Sequence, residues 1–198
     1  MALGRVMAGR QIGDQKSRMQ KTRVKELGWD NTAAVVPAAA VPSYTGTSSY
    51  LLFSKYNDYA GFDGGTGVNR IAVLDPNATM VEPHASSNGT LVMKIVLAVA
   101  GPTPDPDQLP QYPDAVFEWC INAAAVDPVT RAVMVNSEDG RVYRWDLATN
   151  TLSQAVTLSP GAFEAYTSTQ IGPDGTVYAT NSAILNAVVS TVTAKPTR

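Results

Sequence analysis

At 198 residues, with 44% hydrophobic and 16% charged side chains, the chain is long enough for one domain with a sizeable core and too apolar to be disordered or fibrous. Its longest apolar stretch, Ile95 to Ala100, falls far short of the roughly 20 residues that a bilayer helix requires. A single cysteine, Cys120, and a single histidine, His84, exclude an internal disulfide, a cysteine-based metal cluster and paired-histidine metal motifs, and leave no Ser-His-Asp arrangement that spacing could support.

The net charge of −2 is unevenly spread. Residues 1–30 carry seven basic side chains, from Arg5 to Lys25, against Asp14, Glu26 and Asp30, so the rest of the chain is acidic. This basic leader is expected to be solvated and partly disordered. It lacks aromatic interleaving and any nucleic-acid motif, so nucleic acid is not expected as a partner. No apolar core follows its basic start, so no signal peptide is expected; the chain reads as soluble, with its compartment left open. Val24 to Asp30 could supply a stray outer strand.

Residues 31–198 read as one all-β domain built of three units, the first at about 34–100. Val35 to Pro42, Tyr50 to Tyr56 and Arg70 to Leu74 have strand character. The loop from Asn57 to Asn69 holds Asp58, Asp63, Asn69 and four glycines. Calcium takes such oxygens at about 2.3–2.6 Å, with glycines letting carbonyls turn inward. The spacing matches no calcium-loop motif, and a plain surface loop is the competing reading. No cofactor is otherwise expected.

Residues 101–117 hold five prolines and three aspartates and are expected to form an extended crossing, since proline fixes φ and cannot donate to a ladder. It leads into the second unit, at about 118–158, through Glu118-Trp119-Cys120-Ile121-Asn122, where Cys120 reads as a small buried residue of an inner strand. Ala132 to Val135 is continuously apolar, whereas Val142 and Arg144 alternate with Tyr143 and Trp145. The Glu138-Asp139-Gly140 link between them is a hairpin signal, because Gly140 can take positive φ.

The third unit, at about 163–194, repeats the second. Val126 to Ser137 aligns with Ile171 to Ser182 without a gap at an offset of 45 residues, both segments ending in Asn-Ser. Val142 to Trp145 then matches Leu185 to Val188 if the second turn is two residues shorter. Upstream, Arg70 to Thr79 echoes the strand ending in Asp146, with Asp75 in its place. Such a period, with about four short strands per unit, is that of a β-propeller blade.

The stretches Glu138 to Leu152 and Gly172 to Ser182 resemble blades of the quinoprotein-alcohol-dehydrogenase-like propellers with PQQ-type repeats. The resemblance covers about 119–190 well and about 34–100 loosely. It implies about three four-stranded blades of a partial or oligomer-completed propeller, with self-association one way to close the ring. It leaves function wide, since such repeats serve dehydrogenases, lactone hydrolases, scaffolds and binding proteins. Where the repeat usually carries Thr-Gly, this chain has Thr149-Asn150, and asparagine can also take the left-handed turn. The vicinal cysteine pair of the dehydrogenases is absent.

On this frame Glu118, Trp119, Asn122, Glu164 and Tyr166 are expected to gather at the channel mouth, where blades converge. Trp119, Asn122 and Tyr166 are the ligand-binding candidates, Glu118 and Glu164 the candidate acid–base pair, and Asp58, Asp63 and Asn69 the metal candidates. The expected function is a ligand-binding or protein-interaction module without a recognisable catalytic motif. The alternative is a channel-mouth enzyme, either a carboxylate- or calcium-dependent lactone or ester hydrolase or a diverged quinoprotein-like dehydrogenase.

Overall fold

The computed structural model describes residues 32–62, 64–82, 89–121, 123–160 and 168–189. Among these residues the chain is all-β, with eleven strands in three antiparallel sheets and a single 3₁₀ turn at Ala38–Ala40. The first sheet runs β1 (Ala34–Pro37), β2 (Tyr50–Tyr56), β3 (Arg70–Val81) and β4 (Leu91–Ala100), in chain order. The second runs β5 (Ala125–Asp127), β6 (Ala132–Asn136), β7 (Arg141–Asp146) and β8 (Thr151–Thr157). The third has β9 (Gln170–Ile171), β10 (Val177–Asn181) and β11 (Ile184–Val188) in the order β11-β10-β9. No helix among the described residues is long and apolar enough to cross a membrane.

The middle strands of the second sheet, β6 and β7, are buried on both faces, and their sequence says how. Val133, Val135, Tyr143 and Trp145 pack with Val36, Leu51, Phe53, Ile71 and Val73 of the first sheet. Val142, from the opposite face of β7, packs with Val177 and Ala179 of the third. Phe53 meets Trp145 edge to face at 6.2 Å. The first contact buries large aromatic and branched side chains, each contributing roughly 1.5–3 kcal/mol, while the second rests on valines and an alanine. The first strands of the sheets are neighbours, β1 beside β5 and β5 beside β9.

The repeat offset appears directly in the strands: β6 and β10 both end in a buried asparagine, Asn136 and Asn181, 45 residues apart. The turn that follows corrects the alignment made from sequence. Asn136 pairs with Val142 and Asn181 with Ile184, so the second turn is three residues shorter, not two, and Ile184 rather than Leu185 occupies the place of Val142. The β10–β11 turn has only Ser182 and Ala183, both at positive φ (49° and 60°), the signature of a tight type I′ hairpin. Neither residue is a usual marker of that turn, and a slip of one residue moves every side chain to the other face.

The first sheet carries a feature that alternation does not announce. Asp75 pairs with Lys94 but Thr79 pairs with Met93, so Pro76, Asn77 and Ala78 are extra in β3. Beyond this bulge, the Tyr56 hydroxyl donates to Glu82 Oε1 at 2.7 Å. Tyr56 is paired with Arg70, and a straight strand from Arg70 to Glu82 would span about 40 Å. The β3–β4 hairpin therefore folds back over its own sheet. The bend is held by Asp75, which accepts hydrogen bonds from Tyr44 Oη (2.6 Å), Ser48 Oγ (2.6 Å) and the Asn77 N–H (2.9 Å).

Candidate functional site

Antiparallel alternation sends the β2–β3 loop (57–69), the crossing from β4 to β5 and the β6–β7 turn to one end of the sheets. The crossing is not extended, as its prolines suggested. It closes on itself in a narrow neck, with Phe117 N–H bonded to Thr103 O and Asp105 N–H to Ala115 O, both at 3.0 Å. Pro104 sits opposite Val116 between these bonds, at a position that needs no N–H. Pro106, Pro110 and Pro113 fall in the turns beyond the neck, and Pro102 in a bend just before it.

Two buried asparagines fasten this loop to the first sheet. The Asn57 amide donates to Trp119 O (3.3 Å) and accepts from the Trp119 N–H (3.2 Å). Asn69 accepts from the Asp58 N–H (2.9 Å) and donates to Val116 O (2.8 Å). The Trp119 indole N–H bonds Asn69 O at 3.3 Å, and the ring meets Tyr143 edge-on at 5.6 Å. On the second sheet, Asp139 accepts from Thr103 Oγ1 at 2.5 Å and from the Tyr143 hydroxyl, and Glu138 N–H bonds Glu118 O at 3.1 Å.

Above this floor lie three half-buried side chains, Tyr59, Glu118 and Glu138. Burial raises the Tyr59 phenol above its ordinary value; a bond from Asn57 opposes this, while electrostatic repulsion of the phenolate, from Glu118 first and then from Cys120 and Glu138, adds to it. Burial, then the bond to Asp139, raises Tyr143 in the same direction. The arrangement disfavours a further negative charge and suits a cationic group, for which two carboxylates and a phenol oxygen are acceptors.

Of the residues singled out from sequence, Glu118 stands in this group. Trp119 lies beneath it with 0% exposure, so it would reach a ligand only through the residues it positions. Asn122, Glu164 and Tyr166 lie outside the described residues, as do Asp63 and His84. Asp58 Oδ2 accepts from both the N–H and the hydroxyl of Thr66 (3.0 and 2.6 Å), and both ends of the Asn69 amide are engaged, so these two candidate metal ligands serve to close their loop. Among the described residues no three of His, Cys, Asp or Glu are grouped to hold a metal ion. Cys120 is buried, as expected, but lies in the irregular segment before β5 rather than in a strand. Asn57, Tyr59, Glu138 and Asp139 were not singled out. Glu138 and Asp139 read as turn formers, and the position of Asn57 at the end of β2, where loops converge, was the available signal.

No protein-family model matches the chain, and no curated protein does. Among solved structures it is similar to Sqt1 of Saccharomyces cerevisiae, with 11% identity and a TM-score of 0.43 over 75% of this chain. The chain spans only 29% of the length of that structure.

Proposed function

We propose that the three sheets are successive blades of a propeller-like array and that the chain is a binding module whose recognition surface is the end carrying Tyr59, Glu118 and Glu138. The side-by-side placement of β1, β5 and β9 and the face-to-face packing of the sheets support the blade reading. The observation that carries the binding reading is the fastening of three separate loops at one end. Asn57 and Asn69 lock the β2–β3 loop to the crossing, and Thr103 and Asp139 lock the crossing to the β6–β7 turn. A surface fixed in this way binds without the cost of ordering loops. Its carboxylates select an ammonium or guanidinium group on a small molecule or a protein side chain.

Titration of the ¹⁵N-labelled chain with benzylamine, cationic at neutral pH, tests this. Amide shifts confined to residues 57–62, 117–121 and 137–140, weakened about tenfold in Glu118→Gln/Glu138→Gln, are expected. Shifts at the opposite end, around residues 128–131 and 147–150, or equal binding by the double variant, would contradict it.

A further inference from the structure

The two sheet-to-sheet contacts are unequal. Between the first and second sheets, Phe53, Ile71, Trp119, Tyr143 and Trp145 share one core, each at most 3% exposed. Between the second and third, the buried apolar residues among those described are Val142, Val177 and Ala179, and no aromatic ring joins them. Hydrophobic stabilisation scales with the apolar area removed from water, so the second contact is the weaker. The rest of this seam is polar. Asn136 donates to Thr180 O (3.0 Å) and accepts from Thr169 Oγ1 (3.3 Å), the Thr169 N–H bonds Ala123 O (2.9 Å), and the Ser159 hydroxyl donates to the Asn181 side chain. Such bonds add little net stability, because opening returns both partners to water.

The far side of the third sheet does not compensate. Val177, Ala179 and Asn181 of β10 are buried, but the intervening Tyr178 is 38% exposed, and Leu185 of β11 is 67% exposed. Among the described residues this sheet has three strands where the others have four, so β11 is an edge. The β10–β11 turn also holds Ser182 and Ala183 at positive φ, which L side chains disfavour.

We infer that the third sheet is a separate cooperative unit, which opens and closes while the first two sheets stay folded. Opening uncovers the Val142 side of β7 and breaks the Thr169–Ala123 bond, releasing the segment that runs from Glu118 into β5. The inference rests on the unequal contacts and is independent of the binding surface proposed above.

Native-state hydrogen exchange of the ¹⁵N-labelled full chain, followed by NMR at low urea, tests it. The amides of β10 are expected to exchange together, about a hundredfold faster than those of β6, with a smaller but measurable dependence on urea. Ile71→Val, a conservative change in the core of the first sheet, decides whether the opening is separate. It should speed exchange in β6 about fivefold and leave β10 unchanged. Equal rates in β6 and β10, equal acceleration of both by Ile71→Val, or urea-independent exchange throughout β10 would each overturn the inference.

Discussion

Asn57 holds Trp119 by both of its backbone groups, its amide taking the place of a partner strand where the crossing meets the end of β2. Both residues are buried, at 1% and 0% exposure, so no water can replace the bonds. Asn57→Ala leaves a donor and an acceptor unpaired and is expected to lower stability by about 2–4 kcal/mol. Urea unfolding followed by tryptophan fluorescence measures it; a loss within experimental error would mean that the crossing is held elsewhere.

Asn150 has two roles that the usual glycine could not combine. It takes positive φ (55°), accepts from the Trp145 indole N–H at 3.1 Å, and donates to Ala98 O at 3.2 Å across to the first sheet. If the turn conformation alone mattered, Asn150→Gly would stabilise. The two bonds predict the opposite sign, a loss of about 1–2 kcal/mol, and the sign of the change in urea midpoint decides.

The Ser182-Ala183 turn places two ordinary residues at positive φ. Ser182→Asn/Ala183→Gly supplies residues that favour this conformation and should raise stability by about 1 kcal/mol, measured by thermal unfolding. A destabilised double variant would show that the turn is not of type I′.

Acid should weaken the bend in β3. Burial pushes the Asp75 carboxyl up, but the bonds from Ser48, Tyr44 and the Asn77 N–H, with Lys94 nearby, outweigh it and hold the group below the ordinary carboxylate range. Asp127 is held low in the same balance by Thr130, and Asp146 and Asp174 chiefly by the N–H groups of Thr149 and Thr176. A depressed folded-state value means stability that is present above about pH 4, the unfolded carboxylate value, and lost as pH falls through the folded one. Urea midpoints should therefore drop below about pH 4, and Asp75→Asn should make that drop shallower.

How far the sequence revealed this molecule depended on whether the cause was local. The β6–β7 hairpin was legible because Gly140 and the alternation of Val142 to Trp145 act over a few residues, and Gly140 does take positive φ (80°). The shorter β10–β11 turn was misplaced by one residue because Ser182 and Ala183 carry no turn signal. The folded-back β3–β4 hairpin was hidden for another reason: Pro76-Asn77-Ala78 reads as a turn or a strand end, and only the bond between Tyr56 and Glu82, 26 residues apart, shows the chain folding back. At the candidate site the repeat alignment picks out Glu118 by its place at the entry to the second unit. Asn57 and Glu138 reach it from other loops, which spacing along the chain does not register.

The most direct test of the site is the titration of Tyr59, followed by ¹³C NMR of the labelled tyrosine ring and assigned with Tyr59→Phe. With Glu118, Cys120 and Glu138 around a half-buried phenol, its pKa lies above 10.0. A raised value keeps the neutral form in the folded chain, so the associated stability is present below the unfolded value and is lost as pH rises through the folded one. In Glu118→Gln/Glu138→Gln the value should move back down while remaining raised by burial. A phenol that titrates as a free tyrosine, unmoved by the double substitution, would mean that these loops do not meet and that the proposed surface does not exist.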